Sequence, residues 1–264
     1  MAVLGIDIGG TGMKGGLVDI ESGELISERF RLPTPKKRDP EAMADRFKEI
    51  VDHFGYEGPI GVGFPTIIKN GICGSQGNLN KKWKGLNVAD VFAEKTGQKV
   101  IVVNDADAAA YATMEYGVGK GEMGLVLMVT IGTGIGSGAF FNGTLIPNFE
   151  LGQIPYKKFK KIEEWASASA KEREKLSLEE WAVRFNKFLK ITNLLIAPDL
   201  IILGGGLSKE WDNYAHLIDS PVHIKPAALR NNAGIVGAAA AAFRALERAV
   251  YRFPLDEFFS VGYD

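Results

Sequence analysis

Two carboxylates that follow apolar runs are the residues best suited to carry chemistry in this chain. Asp7 lies near the end of the run over residues 3–8, and Asp105 follows Asn104 directly after a second apolar run. A carboxylate at the end of a strand can hold a metal ion or its water shell, which we predict for Asp7. It can also accept a proton from an attacking hydroxyl group, which we predict for Asp105. The structural alternatives are a surface aspartate at Asp7 and a helix cap at Asp105, although Asp107 is better placed for the cap.

Three glycine-rich turns predict a ligand that contains phosphate. They are Gly9-Gly10-Thr11-Gly12, Gly132-Thr133-Gly134-Ile135-Gly136 and Gly204-Gly205-Gly206, and each follows an apolar run. Glycine permits positive φ and lets a ligand approach backbone N–H groups, which then form an anion cradle. Thr11 adds a hydroxyl group and Lys14 a positive charge, and the third turn faces the N-terminus of a helix predicted over residues 208–218. Three such turns predict several bound phosphates between two lobes; the alternative is that the glycines only permit tight packing.

The elements that position these residues alternate between strand and helix, which predicts an α/β fold. The predicted strands cover residues 4–8, 13–18, 60–64, 99–103, 125–131, 137–141, 144–146 and 200–203. The predicted helices cover residues 40–54, 88–96, 106–116, 208–218 and 232–246, with one more after a capping box at Ser177. Residues 70–86, rich in Gly, Asn and Lys, are predicted to form a long loop.

A weak internal repeat predicts two related lobes. Residues 8–12 resemble residues 131–134, and Thr130 stands in the place of Asp7. The first glycine turn returns into a strand, whereas the dinucleotide-binding fingerprint leads into a helix, so a dinucleotide-binding fold is disfavoured.

Composition narrows the class of protein. The chain has 264 residues and a formal net charge of −1, which argues against a general nucleic-acid or membrane binder. Cys73 is the only cysteine, so no disulfide framework and no cysteine zinc site are expected. We find no signal peptide and no apolar segment of membrane length, and we therefore expect a cytoplasmic protein. Basic residues cluster at 36–38, 81–84 and 157–161, and such runs are commonly solvated faces.

The order and spacing of these motifs resemble the ROK family of sugar kinases over essentially the whole chain. The matching segments are Asp7-Ile8-Gly9-Gly10-Thr11, Asn104-Asp105, Ile131-Gly132-Thr133-Gly134-Ile135-Gly136, Glu150-Leu151-Gly152 and Gly204-Gly205-Gly206. Within that family the chain is most similar to the glucose kinases that use polyphosphate. That similarity rests on Gly12-Met13-Lys14-Gly15-Gly16, Asn104-Asp105-Ala106-Asp107-Ala108-Ala109, Asn142-Gly143-Thr144-Leu145-Ile146-Pro147-Asn148 and Pro226-Ala227-Ala228-Leu229.

The resemblance implies two actin-like lobes of the ribonuclease-H-like, hexokinase type around a central cleft. The small lobe is expected over residues 1–108, completed by a C-terminal helix at about 235–264, and the large lobe over residues 109–234. It implies phosphorylation of glucose to glucose 6-phosphate by polyphosphate, with ATP as a further donor, and Asp105 as general base. The implied cofactor is Mg²⁺ near Asp7, directly or through water, and a homodimer is expected.

The resemblance also implies the residues of the site. Glucose is expected to contact Gly63, Phe64, Pro65, Asn78, Asn104, Asp105, Glu150 and Gln153. The phosphates are expected to lie along Asp7, Gly9, Gly10, Thr11, Gly12, Lys14, Thr130, Gly132, Thr133, Gly134, Gly204, Gly205 and Gly206. Lysines are expected to hold the donor, with Lys14 innermost and Lys81, Lys82 and Lys84 near the mouth of the cleft.

Two departures from the family pattern bear on the sugar site. Most members carry a histidine where this chain has Gln153, and many follow it with a cysteine-rich zinc motif that is missing here. Gln153 keeps a hydrogen-bond donor and an acceptor, so a sugar contact is retained while the sugar preference is less certain. No zinc is expected.

Three alternatives to a polyphosphate-dependent kinase remain. The first is a strictly ATP-dependent sugar kinase. The second is a sugar-responsive repressor of the same fold, which would require a helix-turn-helix module before the first strand, and we expect none. The third is a chaperone-like or actin-like ATPase, which would not need the pocket expected around Asn104, Asp105 and Glu150.

Overall fold

The computed structural model describes residues 1–75, 79–227 and 232–250 of the 264-residue chain. The strands are β1 (Ala2–Ile8), β2 (Gly12–Asp19), β3 (Phe30–Pro33), β4 (Ile60–Phe64), β5 (Ile68–Lys69), β6 (Ile72–Cys73), β7 (Val100–Asn104), β8 (Leu125–Ile131), β9 (Ile135–Phe141), β10 (Thr144–Ile146), β11 (Leu200–Gly205) and β12 (His223–Pro226). The helices are α1 (Pro40–Phe54), α2 (Val88–Thr96), α3 (Asp105–Tyr116), α4 (Glu163–Ala166), α5 (Ala168–Glu174), α6 (Leu178–Ile196), α7 (Trp211–Tyr214) and α8 (Ala233–Val250). No helix in these ranges is long and apolar enough to cross a membrane.

Two five-stranded sheets of the same topology form the framework. The first has the order β3-β2-β1-β4-β7 and the second the order β10-β9-β8-β11-β12. In each, the first three strands in sequence form an antiparallel meander, and two parallel strands then extend the sheet beyond the first strand. The internal repeat predicted from the glycine turns therefore corresponds to a repeat of the whole sheet. The predicted limits of the lobes, at residues 108 and 234, stay a prediction.

Helices α3 and α8 pack against each other, α8 lies on the first sheet, and α3 also contacts β9 of the second. Glycines make this close approach possible. A Cβ on Gly61 in β4 would overlap the carbonyl oxygen of Ala238 in α8, and a Cβ on Gly237 would overlap that of Ala108 in α3. The backbone of α8 thus touches that of β4 and that of α3 with no side chain between them.

Each sheet has an aromatic core on its outer side. In the first, the stacked rings of Phe47 and Phe92 lie 4.3 Å apart between centroids. In the second, Trp181 and Phe185 of α6 stack at 5.0 Å, and the predicted apolar face of that helix is buried throughout. Burial of side chains of this size contributes most of the stability of such cores.

Capping residues fix several helix ends as the sequence predicts. Asp39 caps α1 by accepting a hydrogen bond from the Ala42 N–H at 3.0 Å. Ser177 and Glu180 form the predicted capping box at the start of α6. These contacts satisfy backbone N–H groups that lack a partner within the helix.

Two predictions of local structure were wrong. Residues 70–86 were predicted to form a loop, but they contain β6, which pairs with β5 in a small hairpin. They also contain a 3₁₀ turn over Lys81–Trp83, and the Trp83 ring is fully buried. The helix predicted over residues 208–218 is instead a 3₁₀ turn over Gly206–Glu210, the four-residue α7 and a second 3₁₀ turn over Ala215–Leu217. Packing of Leu207 and Tyr214 into the second core accompanies this broken path.

Candidate active site

The predicted catalytic carboxylate lies in a cavity together with the second glycine turn. The cavity has a volume of about 310 Å³ and is lined by Asp105, Ala106, Ala109, Thr130, Gly132, Thr133, Gly134, Gly136 and Gly205. Asp105 is the first residue of α3, directly after β7 of the first sheet, whereas the turn joins β8 to β9 of the second. The cavity therefore lies at the boundary of the two sheets, at the carboxyl ends of parallel strands, where ligands commonly bind in α/β proteins.

The surroundings of Asp105, the predicted base, raise its pKa. Its side chain is open to solvent within the cleft, but protein atoms surround it on most sides. This burial, together with the negative charges of Asp7 and Glu150, raises the pKa of Asp105 to about 6. A carboxylate with a pKa near 6 is ionised at neutral pH and is a stronger base than an ordinary aspartate.

The cap of α3 is Asn104, so the predicted capping role of Asp107 was wrong. The Oδ1 atom of Asn104 accepts hydrogen bonds from the N–H groups of Ala106 and Asp107, at 2.8 and 3.2 Å, and its Nδ2 donates to the carbonyl oxygen of Thr66. Asn104 is buried, and these bonds fix the start of α3 and the position of Asp105. A contact between Asn104 and glucose stays a prediction.

Asp107 is buried, and its side chain takes no part in the cap. Its Oδ2 accepts a hydrogen bond from the N–H of Asn148 at 2.9 Å, and its Oδ1 has no hydrogen-bond partner. Burial, with the charges of Glu150 and Asp105 adding to it, raises the pKa of Asp107 to about 7. Asp107 thus connects α3 with the segment that leads to Glu150.

The first glycine turn is narrow and open on one side. The N–H of Gly9 donates to the Gly12 carbonyl oxygen at 2.9 Å, and the hydroxyl group of Thr34 donates to the Gly9 carbonyl oxygen at 2.6 Å. None of its three glycines has a positive φ, so the freedom that glycine permits there is not used. A Cβ on Gly10 would meet nothing within 4 Å. Glycine at Gly10 therefore leaves room for a ligand to approach the backbone.

The second glycine turn resembles the first in its internal hydrogen bond and in its open side. The N–H of Gly132 donates to the Gly134 carbonyl oxygen at 3.0 Å, and a Cβ on Gly132 would point into open space. Gly136 has a different reason to be glycine, because a Cβ there would lie 2.5 Å from the hydroxyl oxygen of Thr130. This turn also has no positive φ at any glycine.

The third glycine turn fits the packing alternative better than the phosphate one. Gly205 has φ of +85°, and a Cβ on it would overlap the backbone of Ile131. The segment after it is a 3₁₀ turn rather than a helix, so the predicted helix N-terminus facing a phosphate is absent here. Contacts of Gly204, Gly205 and Gly206 with phosphate stay a prediction that this geometry does not favour.

The residues predicted to bind glucose differ in how far they are exposed. Glu150 is half-buried, and burial and the charge of Glu163 raise its pKa. Gln153 is exposed, and its Nε2 donates to Glu163 Oε1 at 3.2 Å. The Phe64 ring is fully buried in the first core, so its side chain cannot line a sugar site. Pro65 is half-buried. Asn78 lies outside the described residues.

Gly63 also packs against α3. A Cβ on it would lie 3.3 Å from the Cβ of Ala108. Because Gly63 has no Cβ, α3 can approach β4 closely. This contact helps to place Asp105 beside the end of the first sheet.

Glu163 is a site residue that sequence reasoning missed. Its Oε2 accepts a hydrogen bond from the N–H of Ile135 in the second glycine turn at 3.1 Å, while its Oε1 contacts Gln153 and Lys161. It therefore connects the turn with the predicted sugar residues. In sequence, Glu163 follows a run of lysines, and such a pattern is typical of a solvated face.

Asp7 has the chemistry expected of a magnesium ligand. It lies beside Lys14, with 3.3 Å between Asp7 Oδ2 and Lys14 Nζ, and its charge acts on Asp105. No group of three or more His, Cys, Asp or Glu side chains that could hold a metal exists among the described residues. Mg²⁺ is commonly held by one or two carboxylates together with substrate phosphates and water. The carboxylates present therefore fit a magnesium ion that arrives with a phosphate donor.

The chain is similar to known proteins over most of its length. The model of the ROK family matches residues 3–148. The chain is 44% identical to a polyphosphate glucokinase of Mycobacterium tuberculosis over 238 residues, which cover 90% of this chain and 89% of the relative.

Solved structures are also similar to this chain. The crystal structure of an inorganic polyphosphate/ATP-glucomannokinase from Arthrobacter sp. strain KM superimposes with a TM-score of 0.83 at 42% identity, covering 93% of this chain and 99% of that one. A ROK family glucokinase from Streptomyces griseus has the same fold, with a TM-score of 0.75 at 23% identity, over 92% of this chain and 100% of that one. The predicted actin-like, two-lobed α/β fold is confirmed. On the family model and the extent of these matches, the chain belongs to the ROK family.

Proposed function

We propose that this protein transfers a phosphoryl group from inorganic polyphosphate to the C6 hydroxyl group of glucose and releases glucose 6-phosphate. The observation that carries the proposal is the shared cavity of Asp105 and the second glycine turn. The cavity brings together a base that can accept the proton of a hydroxyl group and backbone N–H groups that can bind a phosphate. The similarity to a mycobacterial polyphosphate glucokinase and to a polyphosphate/ATP-glucomannokinase supports the choice of donor and acceptor.

In this reaction the sugar oxygen attacks the terminal phosphorus of the donor, and its proton passes to Asp105. The bond from that phosphorus to the bridging oxygen breaks, so the polyphosphate leaves one unit shorter. The raised pKa of Asp105 favours proton acceptance at neutral pH. The two glycine turns hold the phosphates in line with the hydroxyl group, and such positioning accounts for much of the rate in phosphoryl transfer.

Charge on the transferred group is neutralised by Lys14 and by backbone N–H groups of the turns. Asp7 and substrate phosphates would hold Mg²⁺, which supplies further positive charge when bound. In this proposal Glu150 accepts hydrogen bonds from sugar hydroxyl groups, and Gln153 can both accept and donate them. The contact with Glu163 orients the Gln153 side chain.

One assay decides the donor. Purified protein with Mg²⁺ and glucose is given polyphosphate or ATP at equal donor phosphate, and glucose 6-phosphate is measured. We expect polyphosphate to support the faster reaction. A faster reaction with ATP would replace this proposal with an ATP-dependent glucokinase, and no product with either donor would reject the kinase assignment.

Mannose belongs in the same assay, because a relative of this chain is a glucomannokinase. We also infer, from the family resemblance, a cytoplasmic homodimer that acts on small molecules and needs neither nucleic acid nor a membrane. Light scattering after size exclusion tests the dimer, since a monomer has a mass of 28.6 kDa.

A further inference from the structure

Two basic runs that are far apart in the sequence lie side by side in the structure. The Nδ2 atom of Asn80 donates to the Lys37 carbonyl oxygen at 3.3 Å, and the N–H of Asn80 donates to the Arg38 carbonyl oxygen at 3.3 Å. The indole N–H of the buried Trp83 donates to the same Arg38 oxygen at 2.9 Å. These bonds join the segment before α1 to the 3₁₀ turn over Lys81–Trp83. We call the cations on the two segments the basic patch: Lys36, Lys37, Arg38, Lys81, Lys82 and Lys84.

The lysines of the basic patch are exposed, and within the described ranges none of them takes part in an ion pair. Two lysines elsewhere on the same lobe differ, because Lys48 and Lys95 pair with Asp52 and Asp45. The acids that follow the first basic run are Asp39, which caps α1, and Glu41 in the first helical turn. Residues 34–41 and 79–87 together contain six cations and two acids, so the two segments carry a net positive charge.

The basic patch is connected to the first glycine turn by a short segment. Thr34 is anchored to the turn by its hydroxyl group, which donates to the Gly9 carbonyl oxygen, and by its N–H, which donates to the Thr11 carbonyl oxygen at 3.4 Å. Residues 34–38 can span at most about 14 Å. The patch therefore begins close to the place where the phosphates of the donor are proposed to lie.

Further cations lie at the turn itself. Arg31 donates from Nη2 to the Thr11 carbonyl oxygen at 3.2 Å, and its guanidinium group covers Gly12. Arg31 is the cross-strand partner of Lys14 in the pairing of β2 with β3. Cations thus continue from Lys14 through Arg31 to the basic patch.

We propose that the basic patch binds the distal part of a long linear polyphosphate whose reacting end lies between the two glycine turns. This rests on the proposed function and adds the path of the donor over the first lobe. Polyphosphate is a flexible line of negative charge without bases, so a row of flexible ammonium groups can hold it at many registers. A triphosphate offers the basic patch far fewer charges than a long chain does, so the patch should distinguish long donors from short ones.

The test compares two variants of equal net charge. The first carries Lys36→Gln, Lys37→Gln, Lys81→Gln and Lys82→Gln in the basic patch. The control carries Lys99→Gln, Lys120→Gln, Lys187→Gln and Lys190→Gln, which are exposed lysines away from it. KM and kcat are measured for a polyphosphate of about a hundred units, for tripolyphosphate and for ATP, with the melting temperature as a check on folding.

We expect the KM for long polyphosphate to rise about tenfold or more in the patch variant and less than about threefold in the control, because clustered charges act together within about 10 Å. The KM for tripolyphosphate should change less than that for the long chain, and added salt should weaken long-chain binding more in the wild-type protein than in the patch variant. An equal change of KM for all three donors, or equal behaviour of patch variant and control, would overturn the proposal.

The same experiment separates this inference from the proposed function. If the wild-type protein makes glucose 6-phosphate from long polyphosphate but the patch variant behaves as the control does, only the path of the donor is wrong. If the wild-type protein does not use polyphosphate, the proposed function itself fails. Tighter binding of a single-stranded oligonucleotide than of polyphosphate to the basic patch would reject polyphosphate as its ligand.

Discussion

The side-chain amide of Asn148 pairs with both backbone groups of Ile68. Its Nδ2 donates to the Ile68 carbonyl oxygen at 2.7 Å, and its Oδ1 accepts from the Ile68 N–H at 2.8 Å. Ile68 belongs to the small hairpin that follows β4 of the first sheet, whereas Asn148 follows β10 of the second. Since Asn148 stands two residues before Glu150, this pair fixes a predicted sugar residue relative to the first sheet. Asp107 supports the arrangement by accepting the Asn148 N–H.

Asp105→Asn should abolish phosphoryl transfer and leave the fold and glucose binding intact. An amide cannot accept the proton of the sugar hydroxyl group, and general-base catalysis contributes about 10²–10⁴-fold. We expect kcat to fall by at least about a hundredfold, with glucose affinity by calorimetry within about threefold. In the wild-type protein, kcat/KM should fall as the pH drops through about 6, where Asp105 becomes protonated. A variant that keeps more than a tenth of kcat would remove Asp105 from this role.

Asp107→Asn should change how stability depends on pH. The carboxyl group has a pKa of about 7 in the folded protein against 3.8 in the unfolded chain, so between these values the folded state binds more protons. The free energy of unfolding of the wild-type protein therefore falls as the pH rises from about 4 to about 7.

The variant lacks this titration. Relative to the wild-type protein, it should gain roughly 2–4 kcal/mol between pH 4 and pH 8. Urea unfolding at the two pH values measures the difference, and parallel changes in both proteins would contradict it.

Gly61→Ala and Gly10→Ala should separate packing from ligand approach. A methyl group at Gly61 would overlap the Ala238 carbonyl oxygen of α8, and we expect a loss of at least about 2 kcal/mol in the free energy of unfolding. A methyl group at Gly10 meets open space, so stability should change by less than about 0.5 kcal/mol. The KM for the phosphate donor should rise about tenfold in Gly10→Ala, since a methyl group then occupies the ligand's side of the turn. An unchanged donor KM in this variant would count against the first turn as a phosphate site.

Glu163→Ala should weaken glucose binding, with Glu164→Ala as the matched control. The variant removes the acceptor of the Ile135 N–H and the partner of Gln153. We expect a loss of about 1–3 kcal/mol in stability and a rise of about tenfold in the KM for glucose. The neighbouring Glu164 is exposed, and its removal should leave both quantities within about twofold of the wild-type values. Equal effects of the two variants would show that Glu163 has no special place in the site.

Glucose should make the protein more compact. The predicted sugar residues come from both sheets, and closure of the cleft would exclude water from the transfer. Small-angle scattering should show a smaller radius of gyration with saturating glucose, whereas a non-binding sugar serves as control. An unchanged radius at saturating glucose would contradict movement of the lobes.

Local sequence signals suffice for most of the long strands and helices, and for the order in which the candidate site residues follow one another along the chain. Strands and helices follow from apolar periodicity, and helix ends from caps such as Asp39 and Ser177, because these signals act over only a few residues. Asp7, Asp105 and the first two glycine turns could be found in the same way, since each follows a recognisable strand.

Contacts between residues far apart in the sequence can be read from the tertiary structure alone. Phe64 belongs to the core because the rings of Trp83 and Phe92 surround it, and no local pattern distinguishes this from a position in the cleft. The second glycine turn is joined to the predicted sugar residue Gln153 through Glu163, which in the sequence follows a run of lysines. Gly205 is required by contact with Ile131, which is 74 residues earlier in the chain. The basic patch exists only because Asn80 and Trp83 bind the backbone of residues 37–38. Contacts of this kind depend on which surfaces pack together after the sheets have formed, and local preferences do not encode them.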